Sequence, residues 1–311
     1  MVSVAIVDIG SNSIKILVAD RGADGGVRPL HTRTLDVRIS AGISAAAPRL
    51  SESGMAAGVQ AVRDLLAGAA PFRPARVAIV ATSAVRDAQN GAEFRQRVQE
   101  ATGGEVRILT GDEEANLIGR GLTCDPALRA LQDFYVFDLG GGSLECLAFR
   151  ARGVLAAASF QLGCVRLTER FVPRPDLPLS AAAAQAITAH VASTLNRPTF
   201  SWPLPAGSPG IVAGGTATTA RAVWAARAGR RLDETPARFE VADLRQLAHE
   251  LASVPLVERQ HVAGLPAARA DVFPTALLTL VAVAARAGLT ELQHSFYNLR
   301  FGLAADLLAS G

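Results

Sequence analysis

Phe134-Tyr135-Val136-Phe137-Asp138-Leu139-Gly140-Gly141-Gly142-Ser143-Leu144-Glu145 is the stretch that decides the fold of this chain. Four apolar or aromatic residues running into an aspartate predict a buried strand that ends at a site. Three glycines follow. Lacking Cβ atoms, they let the backbone turn sharply and present bare N–H groups to an anion. Ser143 adds a hydroxyl, and Glu145 stands on the strand that leaves the turn. Two carboxylates flanking a phosphate-accepting loop suit the holding of a hard divalent cation against phosphate. Taken alone, the stretch also reads as a tight hairpin with two solvated acids.

The chain repeats the pattern. Val4-Ala5-Ile6-Val7-Asp8-Ile9-Gly10-Ser11-Asn12-Ser13 is again an apolar strand ending in Asp-x-Gly and then serine. Asp8 matches Asp138, Gly10 matches Gly140 and Ser13 matches Ser143, at a constant offset of 130 residues (138 − 8). The copies then diverge in sign, with Lys15 where Glu145 stands. Two such units at half-chain spacing predict two related lobes with a cleft between them.

Asp-x-Gly-Ser-Asn-Ser-x-Lys near the start and Asp-x-Gly-Gly-Gly-Ser-x-Glu in the middle resemble the exopolyphosphatase/guanosine pentaphosphatase family. That family belongs to the actin-like, Hsp70-like and sugar-kinase-like ATPase superfamily. The resemblance covers the whole chain. It implies an α/β protein of two ribonuclease H-like (actin-like ATPase) domains. The first is expected over residues 1–120, completed by a C-terminal helix at about 297–311, and the second over 121–296. The longer relatives carry an added C-terminal helical module with no counterpart here, so the short two-lobe form is expected.

Bulk properties agree. A length of 311 residues suits two domains of ordinary size. With 50% hydrophobic and 19% charged residues the chain is not of the disordered class. A net charge of +3 gives no argument for nucleic acid. Lys15 is the one lysine among 31 basic residues, which draws notice to its place beside a proposed phosphate loop. Three cysteines without a CxxC pair point to a reduced, cytoplasmic compartment. The longest apolar run, residues 276–285, is well short of the roughly 20 residues a membrane span needs, and no signal peptide is apparent. The five histidines show no metal-ligand spacing and read as surface or satisfied core residues.

Strands are expected at 2–8, 14–20 and 27–39, then a helix from Ser51 as N-cap to about Leu66. Val77–Ala81 reads as a buried strand entering Thr82-Ser83-Ala84-Val85-Arg86-Asp87. A strand that leads into a polar turn and short helix is a place for oxyanions. Arg86 can give a phosphate two parallel hydrogen bonds, or pair with Asp87 or Glu93 on a surface helix. The resemblance favours the first, because the family shows Thr-Ser-x-x-Arg here. After the strand 106–109, Thr110-Gly111-Asp112-Glu113-Glu114-Ala115 opens a helix to about Gly121. Three acids at a helix N-terminus suit its dipole. The family pattern Gly-x-Glu-Glu-Ala implies that the glutamate directly before alanine, Glu114, is the catalytic base. Glu113 lies about 100° around the helix and cannot face the same point; the choice between them stays open.

Residues 144–149 and 154–160 predict an antiparallel pair turning at Arg152-Gly153. Leu162–Arg166 begins a helix in which Cys164 reads as packing. Ser180 caps an Ala-rich helix to about Leu195. A short strand, 211–213, enters Gly214-Gly215-Thr216, a third glycine-rich turn whose superfamily counterpart touches the nucleotide. Residues 241–252 predict an amphipathic helix. Arg269-Ala270-Asp271 is expected to start a long apolar helix to Ala287 and resembles a family segment that lines the cleft. Leu299-Arg300-Phe301-Gly302 resembles the family's Leu-Arg-Glu-Gly with Phe301 in place of the acid, which leaves any role of that acid without a carrier. The last helix is expected over 303–308, packed on the first lobe.

The implied activity is an exopolyphosphatase that releases orthophosphate from the end of linear inorganic polyphosphate. Mg²⁺ would be held by Asp138 and Glu145 with help from Asp8. The phosphates would be held by Gly10, Ser11, Asn12, Ser13, Lys15, Thr82, Ser83 and Arg86, by Gly140, Gly141, Gly142 and Ser143, and by Gly214, Gly215, Thr216 and Arg269. Glu114 would deprotonate the attacking water. Guanosine pentaphosphate hydrolysis to the tetraphosphate uses the same chemistry. A kinase of the same superfamily and a non-catalytic alarmone sensor are the other readings. No nucleic-acid or membrane partner is expected, and a homodimer stays open.

Overall fold

The repeated acid–glycine–serine stretch builds the same hairpin twice in the computed structural model, which describes residues 2–310. The chain divides into two units, one formed by the residues up to Arg129 together with those from Tyr297 onward, the other by Ala130–Phe296.

In the first unit β1 (Ser3–Ile9) pairs antiparallel with β2 (Ile14–Arg21), which sets Asp8 opposite Lys15. β3 (Val27–Leu35) continues the meander as an edge strand. On the other side β4 (Arg76–Ala81) runs parallel to β1, and β5 (Val106–Ile108) parallel to β4, giving the order β3-β2-β1-β4-β5. Val4, Ala5, Ile6, Val7 and Ile9 are all fully buried, as a central strand covered on both faces requires. The connections are helical: α1 (Glu52–Ala69), α2 (Ser83–Asp87), α3 (Gly91–Thr102) and α4 (Gly111–Thr123). Ser51 caps α1, its Oγ accepting the Gly54 N–H at 3.0 Å.

The last helix, Leu299–Ala309, packs on α4. Two glycines let the backbones meet. A Cβ on Gly121 would lie 1.9 Å from the Asn298 carbonyl oxygen, and one on Gly302 would lie 2.0 Å from that of Leu117.

The second unit opens with β6 (Phe134–Leu139), β7 (Leu144–Arg150) and β8 (Gly153–Phe160), an antiparallel meander with Asp138 opposite Glu145. Then come α5 (Cys164–Phe171), α6 (Ala181–Leu195), β9 (Gly210–Ala213), α7 (Gly215–Arg227), β10 (Arg238–Glu240), α8 (Val241–Ala252), α9 (Leu256–Arg259), α10 (Phe273–Ala287) and β11 (Glu291–His294). The sheet order is β10-β11-β9-β6-β7-β8, with β9 parallel to both β6 and β11. Apart from the added edge strand β10, this is the arrangement of the first unit, and both are the ribonuclease H-like α/β domain. Aromatic residues fill this core. Phe134 stacks on Phe149 with centroids 4.6 Å apart, and Trp202 packs against Tyr135, Phe137 and Phe200.

Four local expectations change. β3 stops at Leu35 because Arg38 has a left-handed backbone (φ 37°) and its N–H bonds the Asn12 carbonyl instead of a strand. The long apolar helix starts at Phe273; Arg269 closes a separate 3₁₀ turn, Ala267–Arg269. The last helix starts at Leu299, where the Asn298 side chain caps it. β10 and β11 were not anticipated at all, being short and polar.

Candidate active site

The parallel register of β1 and β4 pairs Ile9 with Ala81, so the loops that follow leave the same end of the sheet. That end is where open α/β sheets place their ligands. In the first loop the Gly10 N–H bonds the Ser13 carbonyl at 3.1 Å, closing a tight turn. Ser11 Oγ lies 3.0 Å from Ser83 Oγ, and the Thr82 N–H bonds the Ile9 carbonyl, so the two expected phosphate loops are tied together. Asn12 is buried. Its Oδ1 accepts from Arg38 Nε at 3.0 Å, which fixes the amide orientation, and its buried Nδ2 has no hydrogen-bond partner among the described residues. A buried donor without an acceptor is costly, and a phosphate oxygen would satisfy it.

The two adjacent glutamates at the start of α4 have different surroundings. Glu113 forms a capping box with Thr110: its Oε2 accepts the Thr110 N–H at 2.8 Å, while Thr110 Oγ1 accepts the Glu113 N–H at 3.2 Å. Its other oxygen pairs with Arg107. The Thr110 N–H, and after it Arg107, hold the Glu113 carboxyl below the usual range. Glu114 is 7% exposed and pairs with Arg86, whose Nη1 donates to Glu114 Oε2 and to the Leu109 carbonyl, both at 2.9 Å. Arg86 Nε stands 3.7 Å from Asp87, and none of the hydrogen bonds of Arg86 among the described residues uses Nη2. Glu93 is engaged by Arg97 instead.

In the second unit the Gly140 N–H bonds the Ser143 carbonyl at 3.0 Å, as its counterpart does in the first. The carbonyls of Gly140 and Gly141 accept N–H groups from the first turn of α5, and Arg166 Nε donates to the Gly142 carbonyl at 3.0 Å. The loop is therefore held from behind. Asp138 and Glu145 face each other across the hairpin. Glu145 is 2% exposed and accepts from Ser159 Oγ at 2.8 Å. Like charges directly opposite on a strand pair repel, and a cation between them relieves this. Among the described residues no three His, Cys, Asp or Glu side chains gather to hold a metal ion by themselves. Mg²⁺ takes one or two carboxylates with substrate and water as the remaining ligands, so an Asp–Glu pair beside a glycine-rich turn fits it.

Gly214 brings the third turn against this pair. Its φ of 86° is left-handed, and a Cβ there would lie 2.3 Å from Asp138 Oδ1. A Cβ on Gly215 would lie 2.3 Å from Arg269 Nη1. Asp138 and Arg269 thus rest on consecutive bare Cα atoms, and the hydroxyl of the fully buried Thr216 has no hydrogen-bond partner among the described residues. Behind the turn, Thr218 Oγ1 donates to the Gly214 carbonyl at 3.0 Å and lies 3.1 Å from His294 Nε2, while His294 Nδ1 is 2.8 Å from Arg221 Nη1. Burial, with Arg221 adding to it, pushes the His294 imidazole down to about 3. Of the two readings the sequence left open for its histidines, surface or satisfied core, His294 is the second. Its partners, and those of Asn12, Glu145 and Gly142, could not be picked out from periodicity.

No helix among the described residues is long and apolar enough to cross a membrane, and the three cysteines are free. Residues 17–310 match the pattern of the Ppx/GppA phosphatase family. Among solved structures, an exopolyphosphatase from Cytophaga hutchinsonii is similar at 22% identity and a TM-score of 0.86, over 99% of this chain and 98% of that one. An exopolyphosphatase-like protein is 24% identical with a TM-score of 0.88, over 98% and 97%. The PPX-GPPA enzyme of Aquifex aeolicus is 22% identical with a TM-score of 0.78, over 98% and 99%. At these identities the likeness is one of fold.

Proposed function

The chain belongs to the Ppx/GppA phosphatase family, and from that premise we propose that it is a Mg²⁺-dependent exopolyphosphatase acting on linear inorganic polyphosphate. The observation that carries the proposal is the buried Glu114–Arg86 pair beside the neighbouring, structurally committed Glu113. A carboxylate removed from bulk water and paired with an arginine can orient a water molecule and take its proton, which suits hydrolysis. In the first unit we assign Glu114 as the general base. Lys15, Arg86, Thr82, Ser83 and the N–H groups and side chains of residues 10–13 bind phosphate oxygens, with Asn12 Nδ2 as one waiting donor. In the second unit Asp138 and Glu145 hold Mg²⁺, and residues 140–143, Gly214, Gly215, Thr216 and Arg269 bind phosphate. Asp8 is the corresponding carboxylate of the first hairpin. When bound, Mg²⁺ offsets the charge on the phosphate oxygens.

The water oxygen attacks the terminal phosphorus, the bond to the bridging oxygen breaks, and orthophosphate leaves with a chain shorter by one unit. Glu114 takes the water's proton. The cationic groups need no reorganisation as charge moves to the leaving oxygen.

The test is phosphate release from polyphosphate of two lengths and from guanosine pentaphosphate, with and without Mg²⁺. Mg²⁺-dependent release from polyphosphate is expected. Release from the nucleotide with polyphosphate inert would transfer the proposal to that substrate, and release from neither would overturn it.

A further inference from the structure

The backbone under Asp138 and Arg269 is held by a one-way chain of hydrogen bonds that begins at a buried arginine. Arg221 is 3% exposed. Its Nε donates to the Pro236 carbonyl at 3.0 Å and its Nη2 to the carbonyls of Leu232 and Thr235. Nη1 is directed at His294 Nδ1. A guanidinium can only donate, so Nδ1 accepts and the imidazole proton sits on Nε2. That N–H donates to Thr218 Oγ1, and the hydroxyl in turn donates its hydrogen bond to the Gly214 carbonyl. Each direction follows from the one before it. A doubly protonated ring could not accept from Arg221, so the chain exists with neutral His294 alone.

We infer that Thr218 and His294 are positioning residues, which, oriented by Arg221, fix the Gly214 carbonyl and with it the turn on which Asp138 and Arg269 rest. They act by holding the Gly214-Gly215 backbone in the left-handed turn that leaves Asp138 and Arg269 their places. What the turn serves rests on the function proposed above; that it is held this way does not.

Thr218→Val removes the hydroxyl and keeps the shape, and Thr218→Ser keeps the hydroxyl. Calorimetric binding of tripolyphosphate with Mg²⁺ and steady-state phosphate release are measured on both, beside their melting temperatures. Thr218→Val is expected to raise the tripolyphosphate Kd and the polyphosphate KM about tenfold, with a smaller fall in kcat, and Thr218→Ser to stay within about twofold of wild type. Nitrogen-15 NMR of the wild-type His294 ring is expected to show the Nε2–H tautomer. An Nδ1–H tautomer overturns the inference, as does a Thr218→Val protein with a lowered melting temperature and wild-type Kd and KM. A wild-type protein that binds tripolyphosphate but hydrolyses no polyphosphate would defeat the proposed activity, while binding and tautomer would still decide the role of the relay.

Discussion

Acid should weaken the second unit through His294, and replacing that residue by glutamine should remove the effect. The folded ring titrates near 3 against an ordinary value of 6.5, because burial and Arg221 both disfavour the imidazolium. The unfolded chain therefore binds a proton that the folded one refuses between these values. Stability is unaffected above about pH 6.5 and falls with pH below it, levelling near 3. From 6.5 down to pH 4.5 the loss is two pH units, which at about 1.36 kcal/mol per unit is about 2.7 kcal/mol. His294→Gln can keep both contacts, its carboxamide oxygen accepting from Arg221 and its NH₂ donating to Thr218. Other acids titrate over the same range, so the quantity to read is the difference between the two proteins. Both tryptophans, Trp202 and Trp224, lie in the second unit, so their fluorescence in urea reports its unfolding. The gap between wild type and His294→Gln should shift by about 2.7 kcal/mol from pH 7.5 to 4.5, wild type losing more. Parallel curves, with a shift under about 0.5 kcal/mol, would mean that His294 titrates normally and that the relay does not fix its proton.

Glu113→Ala removes a capping box and should cost about 1 kcal/mol of stability with turnover retained, read from melting curves beside activity. Gly214→Ala sets a Cβ 2.3 Å from Asp138 Oδ1 on a left-handed backbone and should weaken Mg²⁺ dependence and folding together; a variant with wild-type Mg²⁺ titration would separate Asp138 from this turn. Asp138→Asn and Glu145→Gln should each raise the Mg²⁺ concentration for half-maximal rate; unchanged titrations in both would remove the metal role.

The two hairpins were legible because a loop's chemistry sits in contiguous residues: the spacing of Asp8, Gly10 and Ser13 repeats in Asp138, Gly140 and Ser143. The distinct surroundings of Glu113 and Glu114 were half legible. Thr110-x-x-Glu113 is the capping-box pattern and could have assigned Glu113 to the helix end. The Arg86–Glu114 contact joins residues 28 apart in sequence and needed the sheet register. β11 escaped notice because Glu291-Leu292-Gln293-His294 has neither the length nor the apolar content of a strand, and its pairing with β9 is set by tertiary packing. His294 was hidden with it. The apolar run after Arg269 suggests a helix from that residue, whereas Pro274 sits in the first turn of a helix that begins at Phe273.

The central claim is that Glu114 activates water for attack on a phosphoanhydride. Its most direct measurement is the initial rate of phosphate release from polyphosphate by Glu114→Gln, with Glu113→Gln as the control and tripolyphosphate binding measured on both. Glutamine keeps the shape and cannot take the proton. Glu114→Gln is expected to lose at least about 100-fold in rate with binding nearly intact, and Glu113→Gln to keep most of its rate. Near-wild-type turnover in Glu114→Gln, or a loss confined to Glu113→Gln, would contradict the account.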